Sequence, residues 1–460
     1  MSLNTAEGKE SSQHHVMLRR AGILIIRPEW IIATLFLGCV VLVSLAFTRS
    51  ALRSSNAPYY ELYAEGIRHG HLWLEALPAS GECRWDLSPF EGKCYAYWGI
   101  LPALVHVALP FASDRFLAML GFTVAVLFLT KLVLLLSKSS EPIPLRRSLP
   151  VLVSMVAVSM VPATAVVARI YEEAIGFGAG LGLAGLYYVI SGMDSVKAGE
   201  PALTRRIWGG ITLLSLATLA RLPWLGVTGA AILYWLITVG RGVGHPNWKN
   251  LLKATLPIVS ACLIAASVNV VRFHDPFDFG LSKITSTRML ASGVQPSSPV
   301  HMFDNVMMYC FVGLPPMQIP TTASAAPGGA GLLAMTRYFT VGQPFQEYAL
   351  ALFPGMPMLI VSVPALRRRT TDRQKTIVAV LLTLIPSLAV LSIAGSIYRY
   401  ELEAVLPLLL LLTPQALHLA KEASSTRIAW LWGLTGVGLL LSGVNSIWVI
   451  RTICEWWNYC

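Results

Sequence analysis

The sequence contains little charge for its length. Asp, Glu, Lys and Arg make up 13% of its 460 residues, whereas about 25% is typical of soluble globular domains. Apolar residue types make up 55%, and the mean hydropathy is +0.62. So few charged side chains cannot cover a surface that faces water, and most of the exterior must therefore face lipid. The composition excludes a soluble enzyme and predicts an all-α polytopic membrane protein.

Signatures of several other protein classes are missing as well. The sequence has no Cys-x-x-Cys set, no P-loop, no Gly-x-Ser-x-Gly and no Asn-x-Ser/Thr sequon. A glycine repeat at 176–182 resembles a dinucleotide fingerprint, but it lies in an apolar run without a preceding strand, which indicates helix packing. His69 and His71 lie near Glu65 without a third ligand at a suitable spacing. We therefore assign no metal ligands, and a divalent metal is the one cofactor left open.

Eleven apolar runs approach the length of about 20 residues that a helix needs to cross the hydrocarbon core, and the predicted count lies within roughly 10 to 13. The runs are 30–48, 116–136, 150–168, 174–192, 207–220, 224–240, 254–271, 347–366, 376–396, 403–420 and 428–450. A further run, 98–111, contains two prolines and only about 14 residues, which favours an interfacial or re-entrant helix. The first run is too long for the apolar region of a signal peptide, so we expect a membrane anchor.

The distribution of basic residues predicts the orientation. With the run 98–111 not crossing, 20 of the 35 Lys and Arg residues fall within 85 residues on the side of the N-terminus, and Lys and Arg collect in cytoplasmic loops. The net charge of +11 is therefore a topology signal, and we expect no nucleic-acid partner. The predicted division is a cytoplasmic tail at 1–29, a transmembrane domain at 30–450 with large external segments 49–115 and 272–346, and an external tail at 451–460.

Most of the cysteines fall on the predicted external side, where thiols can be oxidised to disulfides. Cys83 and Cys94 bracket a short loop of the first external segment. A bridge between them would stiffen that loop by lowering the entropy of its open forms. Two free thiols are the alternative.

Acids and aromatic residues alternate in the first external segment. The acids are Glu61, Glu65, Glu75, Glu82, Asp86 and Glu91. Carboxylates accept hydrogen bonds from sugar hydroxyls while aromatic rings stack on C–H faces, so this mixture suits a polyhydroxylated ligand. The alternative is an aromatic belt at the headgroup level with solvated charges around it.

Two further groups lie at the predicted outer ends of the spans. Glu172 and Glu173 are expected in a turn of only a few residues between two spans, where they either face the first external segment or simply favour the positive end of a helix dipole. Arg221, Arg272 and Arg399 can each bind a lipid phosphate bidentately, or extend to the bulk headgroups. Three arginines on the same face as the acid-rich loop favour a specific phospholipid site.

These segments, in this order, resemble bacterial polytopic glycosyltransferases of the GT-C type, particularly those related to the lipid A and dolichyl-phosphate-mannose mannosyltransferase group. The matching motifs are YELYAEG at 60–66, HGHLWL at 69–74, DLSPFEGKCY at 86–95, YWGILPA at 97–103, YEEA at 171–174, LARLP at 219–223, NVVRF at 269–273, PFDFG at 276–280, RY at 399–400 and LP at 406–407. Together they extend over most of the chain, and their joint order is more specific than any single motif.

The resemblance implies a GT-C-like fold and a catalytic acid in the first external loop. It makes Asp86 the first choice for the general base and Glu65 or Glu61 the second, with Glu172 and Glu173 as supporting acids. Relatives often have Asp where this chain has Glu61 or Glu65, which leaves the choice of base open. The substrate-binding candidates are Arg221, Arg272, Arg399, Lys93, Tyr95 and Trp98.

The resemblance also implies the reaction. The donor is a polyprenyl-phosphate sugar, the acceptor is a lipid, glycan or protein, and a single displacement inverts the anomeric centre. The expected location is the bacterial inner membrane, with the active site on the periplasmic face. The alternatives are a transporter or flippase of a lipid-linked saccharide and a structural membrane subunit. Transporters usually have polar groups at the bilayer midplane and repeated halves, whereas here Lys131 is the only charge well inside a predicted span, which favours the enzyme.

Overall fold

The computed structural model describes most of the chain. The described residues are 27–48, 58–74, 83, 87–96, 99–137, 143–159, 161–167, 170–197, 203–242, 248–280, 283, 297–299, 301–312, 351–367, 372–393 and 400–457.

Helices make up nearly all of this structure. In chain order they are α1 Pro28–Thr48, α2 Tyr59–Arg68, α3 Leu101–Ala108, α4 Asp114–Leu136, α5 Leu145–Val158, α6 Val161–Val167, α7 Ile170–Lys197, α8 Arg205–Ala220, α9 Trp224–Gly242, α10 Trp248–Phe273, α11 His301–Met307, α12 Leu352–Gly355, α13 Met358–Ser362, α14 Arg373–Leu391, α15 Glu401–Glu422 and α16 Ser425–Trp457. A π-helical turn, Met308–Val312, follows α11, and a 3₁₀ turn, Pro364–Arg367, follows α13. Two short strands, β1 Ser88–Phe90 and β2 Lys93–Tyr95, form an antiparallel hairpin.

Eight helices of the described part of the chain are long and apolar enough to cross a membrane. They are α1, α4, α7, α9, α10, α14, α15 and α16. This confirms the predicted helical, multi-pass architecture, whereas the count of eleven spans is not confirmed. Helix α3 has only 8 residues, in line with the prediction that the run 98–111 does not cross.

Two of the predicted spans are interrupted, and a third is short. The run 347–366 was expected to be one helix, but it consists of α12, α13 and a 3₁₀ turn. The reason is its prolines, because Pro354, Pro357 and Pro364 each lack a backbone N–H and fit only the start or end of a helix. The run 150–168 likewise divides into α5 and α6, and the run 207–220 is the 16-residue helix α8.

The long helices alternate in direction, so that the bundle has two distinct ends. At the acid end lie the first turns of α4, α7 and α15, which carry Asp114, Glu172, Glu173, Glu401 and Glu403. The opposite end is defined by contacts between the other termini. There Lys375 lies 2.6 Å from Asp194, the N–H of Asp372 donates to the carbonyl of Leu136 at 3.2 Å, and Arg147 donates to the carbonyl of Lys421.

Small residues allow α7 to pack closely on its neighbours. A Cβ added at Gly176 or Gly180 would contact α4, and one at Gly182 would lie 2.3 Å from the ring of Trp224. Gly185 likewise faces Gly210 of α8. The glycine repeat therefore serves helix packing, as predicted, and it brings the first turn of α7 into the centre of the acid end.

The β-hairpin is anchored to the last turn of α10. Rings of β1 and β2 contact Phe273 edge-on, with centroid distances of 5.9 Å for Phe90 and 5.5 Å for Tyr95. The hydroxyl of Ser88 donates to the carbonyl of Gly280 at 2.8 Å. A disulfide joins Cys83 to Cys94, which is the bridged alternative of the sequence analysis. The hairpin is thus held at the tip of the bundle.

Candidate functional site

Most of the candidate residues named from the sequence lie at the acid end. Three of them, Asp86, Trp98 and Arg399, fall outside the described residues. Leu87, which follows Asp86, is buried against the bundle, and the chain on both sides of Asp86 is joined by the Cys83–Cys94 bridge.

Glu61 lies at the start of α4. Its Oε1 accepts a hydrogen bond of 2.9 Å from the backbone N–H of Asp114, the first residue of that helix. The positive end of a helix dipole attracts the negative charge of a carboxylate placed there. Glu61 is half-buried, so it combines this position with access to the space in front of the bundle.

Glu65 has a more open environment, one turn further along α2. It forms an ion pair of 2.8 Å with Arg68, and His69 lies 3.6 Å away. Half of its side chain is exposed to solvent. Of the two carboxylates on α2, Glu61 is therefore the one held against the acid end.

Glu173 is buried in the first turn of α7 and paired with a residue that the sequence analysis did not select. Its Oε1 lies 3.0 Å from Nε2 of His106 in α3, and the two side chains are 1% and 2% exposed. The N–H of His106 donates to Oε2 at 3.3 Å. Glu172 is fully buried beside it. The two acids thus point into the bundle instead of lying in an exposed turn.

The pKa of His106 reports this environment. Burial lowers the pKa, but the hydrogen bond and charge of Glu173 raise it, and the carboxylates of Glu61 and Asp114 raise it further. The net result is a pKa above the ordinary value, because the attraction of three carboxylates outweighs the loss of solvation. Four ionisable groups from α2, α3, α4 and α7 are therefore electrostatically coupled.

Arg272 occupies the last turn of α10, where it is almost completely buried. Its guanidinium donates to the carbonyl of Ala96 and, at 2.8 Å, to Oδ1 of Asn269. Burial raises the pKa of Tyr63, and the positive charge of Arg272 partly offsets that effect. Arg272 therefore joins α10 to the segment that follows β2.

Arg221, at the end of α8, pairs with a second acid that the sequence analysis missed. Its Nη2 lies 2.8 Å from Oε2 of Glu403 in α15, and its guanidinium carbon lies 5.1 Å from the ring centroid of Tyr400. The indole N–H of Trp224 donates to the other oxygen of Glu403 at 3.3 Å. The guanidinium expected at the lipid headgroups is thus directed into the bundle.

Lys93 and Tyr95, the two hairpin candidates, have different surroundings. The ammonium of Lys93 lies 3.8 Å from the ring centroid of Trp73, and the imidazole of His71 stacks on that indole at 3.9 Å. Both faces of Trp73 are therefore covered by protein groups. Tyr95 packs on Phe273, and burial together with the charge of Glu91 raises its pKa.

Within the described ranges, no group of three or more His, Cys, Asp or Glu side chains is arranged to hold a metal ion. What the acid end does bring together is carboxylates that can accept a proton and guanidinium groups that can stabilise a developing negative charge. Both lie where apolar helices meet the loops.

The missed residues gave weak but readable signals. Glu401 and Glu403 open an apolar run, and ionisable groups at such positions are functional candidates by default. His106 lies in the run 98–111, which was considered only for its length. His106 and its partner Glu173 are 67 residues apart in the sequence, and Glu403 is 179 residues from Trp224. No local sequence pattern indicates contacts between residues so far apart in the chain.

No protein-family model matches the chain, and the comparison with curated proteins gives no match. Among solved structures, the chain is similar to the arabinosyltransferase EmbB from Mycobacterium smegmatis, determined by single-particle cryo-EM, with a TM-score of 0.41 and 15% identity. The alignment covers 94% of this chain and 41% of that one, so the chain spans less than half of its length. At this level of similarity the alignment assigns neither substrate nor site residues to this chain.

Proposed function

We propose that the protein is a membrane glycosyltransferase of the GT-C type, which transfers a sugar from a polyprenyl-phosphate donor to a lipid, glycan or protein acceptor. The observation that carries the proposal is the acid end itself. There an apolar bundle gathers Glu61, the His106–Glu173 pair, the buried Arg272 and the partly buried Arg221 next to an anchored hairpin. Charges that are so costly to bury are retained most readily where chemistry requires them.

The protein must assist the reaction in two ways. The acceptor hydroxyl oxygen attacks C1 of the donor sugar, the bond between C1 and the phosphate oxygen breaks, and the polyprenyl phosphate departs with the electron pair. A carboxylate takes the hydroxyl proton, which typically contributes 10²–10⁴-fold to the rate. Positive groups stabilise the charge that grows on the phosphate. A single displacement of this kind inverts the anomeric centre.

Asp86 is our first choice for the base. It lies between the two bridged cysteines and directly before the hairpin that Ser88 and Phe90 anchor to α10. A base must be held within hydrogen-bonding distance of the hydroxyl, and this anchoring restricts the loop that carries it. Glu61 is the second choice and Glu65, which is more exposed and paired with Arg68, is the third.

The basic groups would serve the donor phosphate. Arg221 and Arg272 place two positive charges at the acid end, and Arg399 directly precedes Tyr400, which contacts Arg221. Lys93 and Tyr95 on the hairpin, with Trp98 close behind in sequence, would contact the sugar and the first part of the lipid.

We place the acid end on the external face of a bacterial inner membrane, with the N-terminus in the cytoplasm. Two observations support this orientation. The Cys83–Cys94 bridge belongs in an oxidising compartment, and the basic residues collect toward the other side. A divalent metal stays an open cofactor, to be tested by adding a chelator to the assay below.

The proposal is tested with the purified full chain, polyprenyl-phosphate hexose and pentose donors, and a panel of lipid, glycan and peptide acceptors. We expect sugar transfer by the wild type and a loss of at least about 100-fold in Asp86→Asn. Glu422→Gln, at the opposite end, is the matched control and should keep full activity. Transfer that survives Asp86→Asn, Glu61→Gln and Glu65→Gln would overturn the assignment of the base. Movement of the donor across vesicles without transfer would identify a transporter.

A further inference from the structure

His106 is a buried titratable group for which the proposed transfer reaction has no stated use. It is the only position at which α3 presents an ionisable side chain, and that side chain is 2% exposed. Helix α3 packs against α2, α7 and α8, so its orientation decides how these elements meet at the acid end.

Charged groups face His106 from several neighbouring elements. Glu173 of α7 lies 3.0 Å away, and the carboxylates of Glu61 in α2 and Asp114 in α4 act on it through their charge. Arg68 of α2 donates to its backbone carbonyl at 2.6 Å. Helix α8 carries its own charges, Arg205 and Arg206, in its first turn at the opposite end, and Arg221, which follows α8, is paired with Glu403. The imidazole is thus enclosed by three acids.

The His106–Glu173 pair holds one proton strongly. If the imidazolium lost that proton, the Glu173 carboxylate would be left buried and without a counter-charge, which is the costly way to break a buried ion pair. The same proton offsets the charges of Glu61 and Asp114, which would otherwise repel Glu173. A neutral His106 would therefore loosen α3 from α7.

We propose that His106 is a positioning residue of the transferase site: its protonated imidazole, bound to Glu173, fixes α3 on α7 and thereby positions α2, which packs on α3 and holds Glu61 at the start of α4. The inference rests on the proposed function. It predicts that the site works only while the pair retains its proton, so that activity declines on the alkaline side as His106 becomes neutral.

The test is the pH profile of kcat/KM for sugar transfer. We expect the kcat/KM of the wild type to decline at alkaline pH, and this decline to begin at lower pH in Glu173→Gln. In His106→Gln we expect kcat/KM to be about 100-fold lower at every pH, without an alkaline decline. His106→Lys restores a cation and should regain activity with the decline moved to higher pH. His418→Gln, which changes an exposed His–Glu pair at the opposite end, should keep the wild-type profile. A purely structural role would lower activity equally at all pH values, and identical profiles in the wild type and Glu173→Gln would overturn the proposal.

A second measurement separates the pair from the proposed function. The full chain, labelled at its histidines, is titrated in detergent and followed by NMR. The His106 signal is the one that is absent in His106→Gln. If that variant does not fold, the signal is identified by its shift in Glu173→Gln. We expect a midpoint above about 6.5 that falls when Glu173 is replaced. A midpoint below that value would contradict the protonated pair. If the wild type transfers no sugar from any donor, the proposed function and the positioning role both fail, whatever the titration shows about the pair.

Discussion

The two ends of the bundle contain the same ionic contact in opposite surroundings. At the acid end His106 and Glu173 join two helices and are 2% and 1% exposed, whereas at the opposite end His418 and Glu422 lie on one helix and are 22% and 55% exposed. Both pairs have a distance of 3.0 Å. Distance alone therefore says little about the importance of an ion pair, because solvent screens one of them and not the other.

The same contrast holds for the lysine and arginine pairs. Arg221 meets a fully buried Glu403 with support from Trp224, whereas Lys375 meets a half-exposed Asp194 and a second acid, Asp372. Burying charge costs several kcal/mol per ion, and among the described residues the acid end bears that cost at Glu172, Glu173, Arg272, Glu401 and Glu403. We interpret this difference as the mark of the functional end, and the following predictions test it.

The largest difference is expected between Arg221→Met and Lys375→Met. Removing Arg221 leaves the Glu403 carboxylate buried without its counter-charge, which should lower the free energy of unfolding by about 3–5 kcal/mol. Removing Lys375 breaks a partly exposed pair, worth about 0–1 kcal/mol. Denaturant unfolding of both variants in detergent measures the difference. Equal losses would show that the two ends are energetically alike.

The bridge at the acid end provides the next test. Replacing Cys83 and Cys94 by serine should cost about 3 kcal/mol in the stability of the loop, since an eleven-residue closure constrains the unfolded chain by roughly that amount. The free, exposed Cys262 gives the matched control Cys262→Ser, which should be near neutral. Limited proteolysis between residues 74 and 96 reports the local stability. Unchanged protection in the double variant would mean that the contacts with Phe273 alone hold the hairpin.

A pair of glycine substitutions compares packing at the two ends. A Cβ at Gly99 would lie 2.0 Å from the carbonyl of Leu219, whereas one at Gly209, near the opposite end of α8, meets nothing within 4 Å. Gly99→Ala should therefore destabilise by about 1–3 kcal/mol, and Gly209→Ala should stabilise its helix by up to about 1 kcal/mol. Thermal unfolding of the two variants is the measurement. A neutral Gly99→Ala would show that the acid end tolerates looser packing than its geometry indicates.

The smallest effects concern pH and the exposed pair. Because the folded pKa of His106 lies above the ordinary value, its stabilisation is complete below about pH 6.5 and is lost as the pH rises through the folded pKa. The melting temperature should accordingly fall over that alkaline range in the wild type and less so in Glu173→Gln. Glu422→Gln should cost no more than about 0.5 kcal/mol and leave the pH dependence intact. If the pH dependence of the melting temperature vanished in Glu422→Gln, it would arise from the His418–Glu422 pair and not from the His106–Glu173 pair.

Prediction from the sequence succeeded where one property decides the outcome. Apolar length located α4, α7 and α10, whereas the choice of Glu61 and Glu173 as site residues stays a prediction. It failed for the run 347–366, because average hydropathy does not register three helix-breaking prolines. It also missed His106 and Glu403, since their importance comes from burial against residues far away in the chain.

The charge pair of Arg221 with Glu403 also has a consequence for the order of membrane assembly. Trp224 and Glu403 are 179 residues apart, and synthesis adds about 5–20 residues per second. For roughly 9 to 36 seconds after Trp224 is synthesised, the guanidinium of Arg221, which lies between α8 and α9, has no Glu403 to bind. Helices α8 and α9 must therefore enter the bilayer with Arg221 bound to water or lipid headgroups, and the late arrival of α15 completes the acid end during biogenesis.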